Sequence, residues 1–511
     1  MTQPAFKKTA LIFIFSIVSF LIYLYSFCNE FGFHNDYSML LWEKNTLLGF
    51  IESKHAFMIG RALGAALVTF QCWALHKISD FAFWRLMSFF VMLISIICII
   101  RFLQKRCRLD FFWAVVIAFS ILLLPVSQMC ILWSAHFMPG AVNILLSILC
   151  YFLLDKTAKE KMSFAMIFPF LLFVASLFIY PPTSLFVFVF TFYLVMCAPV
   201  EEWKKTKRVV LRDILFFGMG MFVYRVIDRL ILFPWGLETA HFPIPTQPEY
   251  HMGITLDFLS KWPLLKSTFL ISAGGTWHLL FAEKGAFIFL GTIMVLGAII
   301  LCWNIKNHKQ SKYLCVHGIK VFLIIVVLFL LVNLPELLAK ANFTVLGYRV
   351  LFPSSVMLLF LPYWLMMRCQ PFWEQKFKFP VMKTLALIFI LGAALLTVRN
   401  VKDVVRNYTG ELQFIRREMA VVDPQRVSRY LVIKIPEGKG KTLIERPLPM
   451  EFSYMITCIQ HVVPIIREAL NNQGNRNAVV QLLDPQYTNF IRFIKFEKGD
   501  YLIDLNKAIS H

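Results

Sequence analysis

Apolar residues recur along most of this chain in runs of roughly 17 to 25, each long enough for a helix to cross a hydrocarbon core of about 30 Å. The runs fall near residues 9–28, 82–101, 111–128, 136–154, 163–179, 182–198, 210–233, 285–303, 317–334, 347–366 and 380–398. They predict about eleven membrane-spanning helices. Two further apolar segments, 62–77 and 262–281, are shorter or interrupted: the first ends in His76 and Lys77, and the second holds Lys266 and the pair Gly274–Gly275. After about Asn400 the pattern changes. Apolar and polar residues alternate over Arg429–Ile435 and Ala478–Leu483 as in half-buried strands, and Ser453–Asn471 reads as a helix. The expected fold is a polytopic α-helical membrane module over residues 1–399 and a small C-terminal α/β domain over 400–511.

Composition agrees with that class. Of 511 residues 59% are hydrophobic and 53 are Phe, and the mean hydropathy is +0.67, beyond what a soluble chain of this length carries. A formal charge of +21 would suggest nucleic acid in a soluble protein. Here its distribution gives another reason. Basic residues cluster between alternate runs, at Arg101–Arg108, Lys156–Lys161, Lys204–Arg208, Lys306–Lys312 and Arg368–Lys378. Short loops rich in Lys and Arg stay cytoplasmic, and an odd number of spans puts all five clusters on that side with the amino terminus. The charge is a topology signal, and no nucleic-acid partner is expected. Lys7 and Lys8 precede the first run, but no convincing small-residue cleavage site follows it, so it reads as a retained helix.

The same rule places the two ambiguous segments. Crossing at 62–77 would export the cluster at Arg101–Arg108, and crossing at 262–281 would export the one around Lys306. Both therefore read as helices on, or dipping into, the outer interface. Loops 29–80 and 234–284 then face outward, as does the tail after Arg399, and function is expected on that side.

The chemistry-bearing residues are few. Eleven Cys are spread singly, without the spacing of a zinc site or a disulfide framework. There is no Gly-rich phosphate loop, dinucleotide fingerprint or zinc-protease motif, so neither a metal nor a cofactor is expected. Asp36, within His34-Asn35-Asp36-Tyr37, lies just beyond the first run. A carboxylate at a membrane edge is costly to hold there, which makes it a functional candidate; a helix cap is the alternative. Trp133 and His136 lie at an outer edge, where a sugar-stacking ring and an interfacial anchor are both open readings. Arg225, Asp228 and Arg229 have helical spacing and read as a structural ion pair. Glu52, Lys54 and His55 sit in the first outer loop, and Glu52 is kept as an acceptor-side candidate. His241, Glu249, His251 and Asp257, in the second, are spaced too irregularly for a metal.

Asn35-Asp36-Tyr37 after the first span, Gly60-Arg61-Ala62-Leu63 ending the first outer loop, Trp133-Ser134, Ser176 to Tyr180, and Tyr348-Arg349-Val350-Leu351-Phe352-Pro353 together resemble the GT-C glycosyltransferases. Within them the chain looks most like the bacterial, often prophage-borne, serotype-converting O-antigen glucosyltransferases. The resemblance implies an inner-membrane enzyme whose site faces the periplasm. It would move a sugar, glucose foremost, from undecaprenyl-phosphate-sugar to an O-antigen or similar saccharide. It implies Asp36 as general base, Arg61 and Arg349 as cations for the donor phosphate, and Asn35, Tyr37, Glu52, Trp133, His136 and Tyr180 as acceptor or sugar contacts. A flippase and a donor-synthesising transferase are the implied partners, besides donor, acceptor and membrane lipid. Relatives often carry two adjacent acids where this chain has Asn35-Asp36, which speaks against a paired-acid metal site.

Two other readings stand beside this one. A lipid-linked saccharide flippase would need charged or broken helices near mid-bilayer, whereas charges in this sequence gather at span ends. An O-antigen polymerase or ligase shares the lipid-phosphate leaving group but would typically rely on outer-loop Arg without the early Asp.

Overall fold

A computed structural model describes residues 3–32, 61–159, 164–232, 260–276, 282–306, 311–338, 350–377, 380–420, 429–433, 479–483 and 500–504. The helices are α1 (Gln3–Cys28), α2 (Ala62–Trp73), α3 (Asp80–Lys105), α4 (Phe111–Leu123), α5 (Pro125–Leu132), α6 (Asn143–Lys159), α7 (Ile167–Ile179), α8 (Pro181–Ser184), α9 (Val187–Cys197) and α10 (Trp203–Ile227). They continue with α11 (Trp262–Gly275), α12 (Ala282–Lys306), α13 (Ser311–Val332), α14 (Leu334–Leu338), α15 (Phe352–Phe377) and α16 (Val381–Ala420). Every apolar run of the sequence falls on one or two of these.

Among the described residues five helical stretches are long and apolar enough to cross a membrane: Lys8–Cys28, Asp80–Lys105, Ser134–Ala158, Phe352–Pro371 and Val381–Gly410. A sixth is added if α4 and α5, bent by 59°, form one broken span. The bend has a local cause, because Pro125 cannot continue the α4 hydrogen-bond ladder and Leu124 is extended at ψ 146. The outer surface is that of a membrane protein. Phe13, Leu21, Phe168, Leu215, Phe222, Phe287, Met294 and Leu391 are all more than half exposed, an exposure of large apolar side chains that suits lipid better than water.

Ion pairs and polar contacts define two ends of the bundle. At one end Lys383 pairs with Asp110 at 2.9 Å, Arg108 with Glu202 at 2.8 Å, and Arg106 with Asp155. Trp113 Nε1 donates to Gln370 Oε1 at 2.8 Å there, and Lys8 lies over the Phe111 ring. Residues in or beside four of the five basic clusters thus collect at one end. At the other end Arg416 pairs with Glu30 at 2.7 Å, Phe31 packs on Tyr408, and Ser354 donates to Asn333 Oδ1 at 3.1 Å.

α2, at twelve residues, and α11, at fourteen, are about 18 and 21 Å long, short of the hydrocarbon core. α11 ends among buried residues, with Gly275 close to Pro125 of the bend. A side chain on Gly285 would come within 2.7 Å of the Gly274 carbonyl oxygen, so the α11–α12 contact depends on glycine. One charge near the start of the run 210–233 is deeply buried. Asp213 is fully buried, accepting from Thr191 Oγ1 at 2.8 Å, Tyr151 OH at 3.1 Å and Arg212 Nε at 2.8 Å.

Beyond α16, strands β1 (Arg429–Ile433), β2 (Val479–Leu483) and β3 (Asp500–Asp504) form a parallel sheet in the order β2-β1-β3. Arg429 is in register with Val479 and Asp500. β1 and β2 coincide with the two alternating segments of the sequence, and β3 was not anticipated. The expected helix at 453–471 lies outside the described residues.

Candidate functional site

The end of the bundle opposite the basic clusters carries a compact group: Arg61, Trp133, His136 and Tyr180. Arg61 precedes α2, and its guanidinium lies over the Tyr180 ring at 4.5 Å from the centroid. The neighbouring sequence makes that approach possible. Any side chain on Gly64, one turn further, would collide with the Ile179 carbonyl, so only glycine lets α2 lie against the end of α7. Tyr180 follows at once, extended at φ −163 where Pro181 prevents α7 from continuing.

His136 stands between Tyr180 and Trp133, with ring centroids 5.6 Å from the former and 4.1 Å from the latter. A single 3₁₀ turn, Ser134–His136, and a π-helical turn, Phe137–Val142, carry it. Such π turns are rare and concentrate at functional sites. Gly140 makes room, since a side chain there would press within 3.4 Å of His136 Nδ1 and 3.1 Å of Cys130 Sγ. Asn143 Nδ2 ties the two breaks together, reaching the Tyr180 carbonyl at 3.0 Å, Thr183 Oγ1 at 2.9 Å and Ser184 Oγ at 3.0 Å. Thr183 Oγ1 donates in turn to the Pro139 carbonyl at 2.8 Å. Gln71 Nε2 binds the Ser134 carbonyl at 2.7 Å and joins α2 to the same assembly.

Trp133, His136 and Tyr180 are 3%, 6% and 2% exposed. Arg61 is the part-exposed member. The buried rings therefore form the wall that fixes the guanidinium, and Arg61 is the group best placed to meet a ligand. A planar guanidinium suits bidentate contact with a phosphate or carboxylate. Arg225 and Asp228, at the same end, pair at 2.7 Å, and Tyr224 packs on Phe178 beside them.

One buried cation at the end of α1 was missed by sequence reading. Arg85, in α3, is fully buried and grips the end of α1. Its guanidinium donates to the carbonyls of Ser26 at 3.0 Å, Asn29 at 2.8 Å and Phe31 at 2.7 Å, and lies 3.8 Å over the Phe31 ring. The only sequence signal was a single Arg inside an apolar run. Arg85→Leu is expected to destabilise the protein by about 3 kcal/mol or more, because three carbonyls lose a charged donor. Lys should restore only part, having no planar fork. Thermal unfolding in detergent measures this, and a fully stable Arg85→Leu protein would contradict the clamp.

Of the other expected site residues, Asn35, Asp36, Tyr37, Glu52 and Arg349 lie outside the described residues. Among the described residues no group of three or more His, Cys, Asp or Glu is disposed to hold a metal ion. No protein-family model matches this chain, and no curated protein matches it in sequence.

Proposed function

We propose that this chain is a membrane glycosyltransferase. It moves a sugar, glucose foremost, from undecaprenyl-phosphate-sugar to an O-antigen or similar surface saccharide on the periplasmic face of a bacterial inner membrane. The observation that carries the reading is Arg61 held over Tyr180 at the end away from the basic clusters, with Arg85 gripping the chain that leads into Asn35-Asp36. In the finer reading the chain crosses eleven times, with the amino terminus inside and residues 400–511 outside as an α/β domain. Phe352, at the start of α15, packs on Phe186 just beyond α8; in this reading Arg349, three residues before Phe352 in sequence, is the second cation.

The proposed reaction is a single displacement. The acceptor hydroxyl loses its proton to the Asp36 carboxylate as its oxygen bonds to the anomeric carbon. The bond from that carbon to the phosphate oxygen breaks, the phosphate leaves on its lipid, and the configuration inverts. Arg61 and Arg349 stabilise the charge that develops on the departing phosphate. Asn35, Tyr37 and Glu52 face the acceptor, and the Trp133, His136 and Tyr180 wall shapes the sugar's side.

A second reading, a lipid-linked saccharide flippase, gains from the 59° break between α4 and α5 and from Asp213 buried inside the bundle. Asp213 accepts three side-chain partners, which suits a structural anchor better than a transport path. Mass analysis of surface polysaccharide, with and without the gene, separates the two. The enzyme adds a hexose branch, whereas a flippase changes the amount of polymer and leaves its repeat unit unaltered.

A further inference from the structure

At the end that collects the basic clusters, a cleft of about 120 Å³ opens between the end of α3, the end of α9 and the start of α10. Lys105, Arg106, Arg108 and Lys205 line it against one lining carboxylate, Glu202. The two arginines are fixed in place: Arg108 pairs with Glu202 at 2.8 Å, and Arg106 with Asp155. Lys105 and Lys205 are exposed, and neither has a carboxylate in ion-pairing range among the described residues. The cleft therefore keeps uncompensated positive charge.

Its construction carries a local conformational cost. Arg108 has a left-handed backbone, φ 56, which a residue with a β-carbon seldom adopts. It ends α3 in a tight turn in which Leu109 N–H binds the Leu103 carbonyl at 3.0 Å. Such strain gathers at ligand clamps. The buried Cys107 thiol beneath is pushed up by burial and by its neighbour Cys197, so the floor adds no negative charge. The opposite wall, with Leu194, Ala198 and Val209, is apolar.

We propose that this cleft binds the phosphate group of an anionic phospholipid, with the glycerol and acyl portion running onto the apolar wall of Leu194, Ala198 and Val209. Cations at the mouth, an apolar flank and a position at the basic end of the bundle are the features such a headgroup requires. The inference rests on the membrane reading and is independent of glycosyl transfer.

The test uses the full chain purified in a neutral detergent, titrated with phosphatidylglycerol, phosphatidylcholine or inorganic phosphate, with thermal unfolding as the readout. Phosphatidylglycerol should raise the unfolding temperature and phosphatidylcholine should not. The double variant Lys105→Gln/Lys205→Gln should bind phosphatidylglycerol at least about tenfold more weakly, with lipid-free stability unchanged. Lys204→Gln/Lys207→Gln removes equal charge from the same helix outside the cleft and should change binding by less than about twofold. If the double variant folded poorly, Lys205→Gln alone should still weaken binding severalfold. Equal weakening in the control pair, or no response to phosphatidylglycerol, would overturn the proposal. A full shift from inorganic phosphate alone would overturn the lipid assignment.

Discussion

Asp36→Asn is expected to lower transfer by about 100- to 10,000-fold, the usual loss when a general base is removed. Folding and expression should be nearly unchanged, because the substitution is isosteric and the residue is read at a wet membrane edge. Single-turnover transfer by the purified variant measures it; near-normal turnover would end the base assignment. Asn35→Asp should be tolerated, since the glycosyltransferases that the sequence resembles often carry paired acids there. Inactivation there would instead give Asn35 a polar task of its own.

Arg61→Ala should weaken donor binding and slow transfer by about 10- to 100-fold, the range for losing one charged hydrogen bond. Lys should rescue partly, because an ammonium restores charge but neither the two-pronged geometry nor the same stacking on Tyr180. Arg349→Ala should behave in the same way. A side chain at Gly64 tests the same geometry indirectly. Leu there must push α2 off Ile179 and carry Arg61 away from its ring, so Gly64→Leu should mimic Arg61→Ala in donor binding. Unchanged donor binding in both Arg61→Ala and Gly64→Leu would remove Arg61 from the site.

The helices were legible in the sequence because a bilayer demands long apolar runs and leaves few other ways to satisfy the backbone. Among the described residues five of the eleven runs fall on helices long and apolar enough to span, and a sixth does so if the bent pair is one span. The run at 111–128 became two helices bent at Pro125, and the runs at 163–179 and 182–198 are separated only by the Tyr180-Pro181 break. That break places Tyr180, and a period count cannot weigh it. The family resemblance flagged Arg61 and Tyr180, and an outer-edge position flagged Trp133 and His136, but their assembly spans over a hundred residues and depends on Gly64 and Asn143. Arg85 was invisible for a related reason: its partners are backbone carbonyls, which carry no sequence signature. Arg85 and Asp213 lie three residues inside the ends of their apolar runs, and their partners are backbone carbonyls at the end of α1 and side chains of α6, α9 and α10.

The central claim is that the face carrying Arg61 transfers a sugar from a lipid phosphate to a saccharide. The most direct measurement gives the purified protein a polyprenyl-phosphate-linked radiolabelled glucose and an O-antigen acceptor, without nucleotide or added metal, and follows label into the acceptor. The account predicts label in the acceptor, inverted anomeric configuration in the product, and loss of both with Asp36→Asn. Label that stays on the lipid in a folded protein, or moves equally well with Asp36→Asn, would contradict it.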